Sequence, residues 1–214
     1  MQKDLPHTQE LQDSDLNKQR KDMKIYKLGE EILRQKCEPV KTEEINDEMR
    51  ALFEEMFKTM TSANGVGLAA PQVGIAKRFF VLTADDDVKR VFINPEITKT
   101  SAETSEYEEG CLSIPGFSEK IVRPVKVSVA ALNEFGKPFV IENADGLLAR
   151  IIQHENDHLD GYLYIDRGDS DFAKQTEEQF KKRVERNAKK LAAREAKKAS
   201  IEAKIAAKKA KKGK

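Results

Sequence analysis

Two histidines separated by three residues, with a glutamate directly after the first, are the feature of this 214-residue chain that says most about chemistry. They stand in Gln153-His154-Glu155-Asn156-Asp157-His158-Leu159. On a helix, residues four apart share one face, so both imidazoles can grip one cation while Glu155 stands beside an open coordination position. Catalytic zinc-type sites use three protein ligands and keep one place for water, whose pKa the cation brings toward about 7. That chemistry is hydrolysis, with Glu155 as general base. Helices with two solvated histidines can show the same spacing. Here the whole chain holds only 3 His, and two of them follow the apolar Leu147, Leu148, Ile151 and Ile152. Such a helix belongs in an interior, where a buried histidine needs partners.

A third ligand has to come from elsewhere. Metalloproteases with this helix motif take it downstream, but no His follows His158. Upstream, Glu109-Gly110-Cys111-Leu112-Ser113-Ile114-Pro115-Gly116 places a single Cys in a loop bounded by Gly and Pro. Its thiolate suits Zn2+ or Fe2+. The ordinary alternative is a buried free Cys acting as a small hydrophobe, which is the reading given to Cys37.

Gly65-Val66-Gly67-Leu68-Ala69-Ala70 formally matches a dinucleotide-binding fingerprint. That fingerprint needs a strand before it and a helix after it; here a helical pattern precedes it and Pro71 interrupts the chain directly after it. Two readings remain, a plain turn or a loop whose small residues let backbone approach a substrate, with Gln72 offering an amide donor.

Elements to position these residues can be read from periodicity. Ile45, Met49, Leu52, Met56 and Met60 line one face of a helix from a Thr42 cap to about Thr61. Short β-rich runs come after it at Phe79–Leu82, Val91–Asn94, Ile121–Arg123, Val125–Leu132 and Phe139–Glu142, the last two joined by a hairpin loop at Asn133–Gly136. The motif helix spans about Ala144 to Leu159, with Gly161 as its stop, and Tyr162–Ile165 reads as one more strand. The expected fold is α+β: antiparallel β-sheets packed around a central metal-binding α-helix, with an additional N-terminal helix and a basic C-terminal helix. Residues 1–22 read as a disordered extension, 23–168 as the catalytic domain and 169–214 as a Lys/Ala-rich tail with little to bury. Met23 is a candidate natural start.

Net charge is +1 over the whole chain, but residues 171–214 hold 16 Lys+Arg against 6 Asp+Glu, a basic tail of +10 on an acidic body of −9. Only 2 Cys occur, which excludes a disulfide scaffold and fits a reducing compartment. No apolar stretch reaches membrane-span length, and the first residues match neither a signal nor a transit peptide. The expected location is the cytoplasm.

Three segments in this order resemble the peptide deformylase family. Its G-x-G-x-A-A-x-Q motif stands as Gly65 to Gln72, its E-G-C-L-S motif as Glu109 to Ser113, and its Q-H-E-x-D-H-L-x-G motif as Gln153 to Gly161. The similarity runs from about Met23 to Arg167 and includes Arg123-Pro124. The resemblance implies removal of the N-formyl group from the initiator methionine of nascent polypeptides, with release of formate. It implies a divalent metal on Cys111, His154 and His158, Fe2+ first and Zn2+ or Ni2+ as substitutes. It gives Glu155 the proton transfers, and Gln72 with the Leu112 backbone N–H the developing oxyanion. Substrate contacts fall to Val66, Gly67, Gly110, Leu147, Arg150 and Ile151. Helical spacing alone puts Leu147, Arg150 and Ile151 on the face of His154, with ordinary core packing as the alternative and the Arg150 stem at a pocket rim. A tight wall of Gly67 and Gln72 would reject an acetyl group. Bacterial members can dock on the ribosome through a C-terminal helix; the basic tail is either such an rRNA-binding element or a solvated, partly helical appendage.

The rival readings are a metalloprotease and an RNA-binding protein with a structural metal. The first lacks its downstream ligand. The second would need a closed set of four ligands, and only three can be named.

Overall fold

The computed structural model describes the backbone of residues 22–212 and the side chains of residues 22–199. The extension expected over residues 1–22 therefore lies outside the described residues, save for its last. The strands are β1 (Gly67–Ala69), β2 (Phe79–Thr83), β3 (Lys89–Thr100), β4 (Thr104–Gly110), β5 (Ser118–Pro124), β6 (Val127–Leu132) and β7 (Pro138–Ala144). The helices are α1 (Asp47–Ser62), α2 (Gly146–Leu159) and α3 (Ser170–Lys212). One antiparallel sheet has the order β1-β2-β3-β6-β7, and β4 pairs with β5 in a second. The architecture is α+β.

Strand β2 shows how the large sheet holds two helices. Successive side chains on a strand point to opposite faces. Phe79 and Val81 enter a cluster with Phe53, Met56, Phe57 and Met60 of α1. Phe80 and Leu82 enter another with Ala149, Ile151, Ile152 and Leu159 of α2. An unbroken apolar run is what burial on both faces demands. Helix α2 is also tied to the small sheet: Gln153 Nε2 donates to the Pro124 carbonyl at 3.1 Å, and Arg150 Nη1 to that of Ile121 at 3.0 Å. It thus touches both sheets, which fixes the rotation of its His-bearing face.

Several local expectations are corrected. Thr42 opens a separate 3-10 turn, Thr42–Glu44. Asn46 caps α1 instead, its side chain accepting from the Met49 N–H at 3.0 Å; its extended backbone aims the carboxamide at that orphan donor. Tyr162–Ile165 is not a strand. Tyr164–Arg167 forms a 3-10 turn closed by Asp166, which accepts from the Leu163 N–H at 2.7 Å. This turn buries Tyr164 and Ile165 in a third cluster with Leu33, Ile114, Ile121 and Phe180. Strand β3 runs well past Asn94 with register shifts against β6, and β1 and β4 are additions.

The end of α2 and the hairpin behave as their residues suggest. Gly161 has φ +79°, and a Cβ there would come 2.6 Å from the Arg34 carbonyl oxygen, so only glycine fits. In the β6–β7 loop the Gly136 N–H donates to the Asn133 carbonyl at 2.9 Å. Helix α3 buries more than its composition suggests, since Thr176 and Phe180 are both inside. Farther along, Val184 and Leu191 are exposed. Among the described residues no helix is long and apolar enough to cross a membrane.

Candidate active site

Helix α2 presents His154 and His158 to the loop after β4, where Cys111 sits. The ligating atoms of Cys111, His154 and His158 all lie within 4.8 Å of one another. Cys111 Sγ stands 3.3 Å from His158 Nε2. Tetrahedral bonds of about 2.3 Å to sulfur and about 2.0–2.1 Å to imidazole nitrogen would set ligand atoms about 3.5 Å apart. The donor set therefore fits a divalent cation in spacing and in chemistry.

His154 is oriented from behind, whereas among the described residues His158 Nδ1 has no hydrogen-bond partner. His154 Nδ1 lies 2.9 Å from Glu109 Oε2. A carboxylate only accepts, so the proton belongs on Nδ1 and Nε2 faces the sulfur. Burial lowers the proton affinity of His154, but hydrogen bonds to Cys111 and Glu109 outweigh it and raise its pKa to about 10. Burial and the neighbouring His154 charge push His158 well below its usual value. The extra proton thus sits on His154 and would have to leave when a cation binds, because imidazole must be neutral to ligate.

Glu109 is the hub of a buried network. It accepts from Arg123 Nε at 2.7 Å and Nη2 at 3.0 Å, and from Arg150 Nη1 at 3.0 Å. Arg123 also donates to Asp157 Oδ2 at 2.7 Å, while Arg167 Nη2 donates to Asp157 Oδ1 at 2.6 Å. Burial alone would raise Glu109, yet His154 and Arg123 hold its pKa down at about 2. The Arg150 head is buried, with Nη2 donating to the Ser105 carbonyl at 3.0 Å.

A cavity of about 540 Å3 opens over these residues, a volume within the range of small-molecule sites. Val66, Gly67, Gln72, Gly110, Cys111, Leu112, Leu147, Arg150, Ile151, His154 and Glu155 all line it, with His158 buried behind. The site residues named from the sequence thus lie at this one cavity, His158 behind its lining. Tyr107 and Phe117 also line it and carried no spacing signal. Lys27 is a further addition, its Nζ donating to the Leu112 carbonyl at 2.7 Å across 85 positions of sequence.

Gln72 is held at both ends. Its Oε1 accepts from the Ala69 N–H at 2.8 Å, and its Nε2 lies 3.4 Å from Cys111 Sγ and 3.2 Å from Ser113 Oγ. Glu155 is buried, and among the described residues its Oε2 has no hydrogen-bond partner. Burial raises its pKa to about 7. A Cβ on Gly67 would collide with Glu155 Oε1 and come within 2.8 Å of Ile151 Cγ2, so this backbone touches the carboxylate only because it lacks a side chain.

An α+β domain that sets a His-Glu-x-x-His helix against a cysteine loop, with a carboxylate poised over a cavity, defines a metal-dependent hydrolase. The polypeptide deformylase family pattern matches residues 22–178. The chain is 50% identical to the peptide deformylase of Fusobacterium nucleatum subsp. nucleatum over 144 residues, 67% of this chain and 82% of that one. Against the peptide deformylase of Treponema pallidum (strain Nichols) the identity is 52% over 147 residues, covering 69% and 88%. In three dimensions it resembles the Legionella pneumophila peptide deformylase with TM-score 0.72 and 40% identity, over 78% of this chain and 98% of that one. A Synechococcus elongatus peptide deformylase in complex with actinonin gives TM-score 0.69 and 41% identity, over 75% and 87%. This chain belongs to the polypeptide deformylase family.

Proposed function

We propose that the family's reaction, hydrolytic removal of the N-formyl group from the N-terminal methionine of new polypeptides, is carried here by Glu155, Gln72 and Leu112 beside a divalent cation on Cys111, His154 and His158. The observation that carries the assignment is the convergence of three soft and borderline donors with the unpartnered, buried Oε2 of Glu155 at one cavity. Such a cation supplies Lewis acidity, bringing the pKa of a water toward about 7. Thiolate plus two imidazoles suits Fe2+, Zn2+ or Ni2+; Fe2+ as the working metal is what the family resemblance implies.

Glu155 takes the proton of the attacking water and returns it to the leaving amine, a task matched to a carboxylate whose pKa burial has brought to about 7. Attack on the formyl carbon puts negative charge on its oxygen. The Gln72 amide and the Leu112 N–H are the donors for that oxygen, each contributing about 3 kcal/mol to the transition state. Val66, Leu147 and Ile151 receive the methionine side chain, the Arg150 stem packs beside them, and Gly110 offers backbone to the peptide. Gly67 and Gln72 leave space beside the carbonyl for hydrogen and not for methyl.

Residues 23–168 carry the catalytic side chains in this reading; the first turns of α3 pack on them through Thr176 and Phe180, and the rest of 169–214 is an appendage. The +10 net charge of residues 171–214 draws it to rRNA at the nascent-chain exit by counterion release. Two free cysteines support a reducing compartment, the cytoplasm. Deleting residues 185–214 and measuring ribosome co-sedimentation against salt tests the tail; unchanged sedimentation ends that part.

The central test is anaerobic purification, metal analysis and a formate-release assay on formyl-Met peptides. Glu155→Ala is expected to keep its metal and lose on the order of 10²–10⁴-fold in kcat. Near-full activity in that variant would sink the assignment.

A further inference from the structure

The loop that carries Cys111 and Leu112 continues through Pro115, Gly116 and Phe117, all of which line the cavity. Its far end is held by a residue from the C-terminal helix. Arg183 of α3 donates through Nη2 to the Pro115 carbonyl. Its guanidinium carbon lies 4.8 Å from the Phe117 ring centroid and 4.9 Å from that of Phe180. Gly116, at φ +78°, passes so close that a Cβ there would sit 3.1 Å from Arg183 Nη1. Phe180 is 3% exposed and belongs to the core cluster of Ile114, so it is a fixed base against which Arg183 can press Phe117. The Phe117 carbonyl is pinned as well, accepting from Tyr164 Oη at 3.1 Å.

We propose that Arg183 is a positioning residue for peptide binding: it clamps Pro115–Phe117 as one wall of the cavity and thereby sets affinity for the residues that follow the formyl-methionine. A planar guanidinium can stack on two rings and donate to a carbonyl at once; an ammonium cannot. The clamp lies several residues from Cys111, so it acts on substrate binding and leaves the metal and the proton transfers alone. The inference rests on the cavity being the formyl-peptide site.

The test compares wild type, Arg183→Ala, Arg183→Met, Arg183→Lys and, as a control on the same helix, Arg186→Ala. Formate release is measured on a formyl-Met tripeptide and on formyl-Met amide, alongside metal content and thermal unfolding. Loss of the two ring contacts and one hydrogen bond should raise KM for the tripeptide about threefold to tenfold. kcat and metal content should stay within about twofold of wild type. Formyl-Met amide, which ends before the clamped wall, should change less. Arg183→Met keeps the aliphatic stem and the fold and should still show the rise; Arg183→Lys should recover only part of it, and Arg186→Ala should match wild type. A tripeptide KM equal to wild type in both Arg183→Ala and Arg183→Met overturns the inference, as does a lower melting temperature with kcat reduced and KM unchanged. A wild type unable to release formate from either substrate overturns the site assignment itself and this inference with it.

Discussion

Glu109 Oε2 and His154 Nδ1 are 2.9 Å apart, and that one hydrogen bond decides which nitrogen His154 turns toward Cys111. The same carboxylate receives Arg123 and Arg150, so orientation of His154, the proposed metal ligand, is coupled to two buried guanidinium groups. Glu109→Gln keeps the shape but offers the ring a weaker acceptor. It should lower metal affinity by about 10–100-fold, read by chelator competition. Glu109→Ala should do worse, destabilising the fold by about 3–5 kcal/mol because both arginines lose their counter-charge inside the protein. Equal metal retention in Glu109→Gln and wild type would show that the pairing is incidental.

Gly67 makes a sharper demand. Its added methyl would meet the Glu155 carboxylate and Ile151 Cγ2, both on α2, while β1 is held in register by pairing of Gly67 with Leu82. The carboxylate is the end that can give, and overpacking of this kind costs about 1–3 kcal/mol. Gly67→Ala should therefore displace Glu155 and reduce kcat by at least about tenfold while the protein still folds and binds metal. A variant with wild-type kcat would show that Glu155 tolerates that shift.

The features legible in the sequence and those hidden from it divide along physical lines. The helix of His154 and His158 shows itself through a four-residue spacing that only a helix turns into a shared face. The two-sided burial of β2 is visible as an unbroken run, Phe79 to Leu82. Strand β4 is not visible, because it is mostly exposed, has one neighbour, and carries Glu106, Glu108 and Glu109 where alternation would be sought. The 3-10 turn at Tyr164 reads as a strand because the four aromatic and aliphatic residues Tyr162 to Ile165 fit either geometry. Partnerships such as Arg123 with Asp157, or Lys27 with the Leu112 carbonyl, join residues far apart in the chain. No local pattern encodes them.

The start of α1 gives a direct check on one such correction. Asn46 accepts from the Met49 N–H, whereas Thr42 belongs to the preceding turn. Asn46→Ala should cost about 1 kcal/mol in unfolding free energy and Thr42→Ala a few tenths at most. Denaturant titration of the two variants decides; a larger loss from Thr42→Ala would return the cap to the threonine.

Cys37 supplies a prediction about alkaline pH. Its side chain is 3% exposed, with its N–H donating to the Leu159 carbonyl at 2.9 Å. Burial raises its pKa from 9.0 to about 11, the Arg78 charge offsetting only part of the effect. Between these values the unfolded chain has lost the thiol proton and the folded protein has kept it. The folded state then binds more protons, so stability falls as pH rises. The contribution is fully present below pH 9.0 and is lost on passing about 11. Its size is on the order of 2 kcal/mol, from two pKa steps at about 1.4 kcal/mol each with some relief by water entry. Cys37→Ala removes the thiol and with it this slope. The variant starts less stable because it leaves a small cavity, so the quantity to compare is the change with pH. Tyr164, whose pKa burial also raises, titrates in both proteins and cancels from the difference. Urea unfolding at pH 8.5 and 10.5 should show wild type losing more stability than Cys37→Ala, and iodoacetamide at pH 8.5 should leave Cys37 unmodified until the protein is denatured. Parallel losses in the two proteins, or rapid native-state alkylation at Cys37, would mean that the thiol is not sealed in the core.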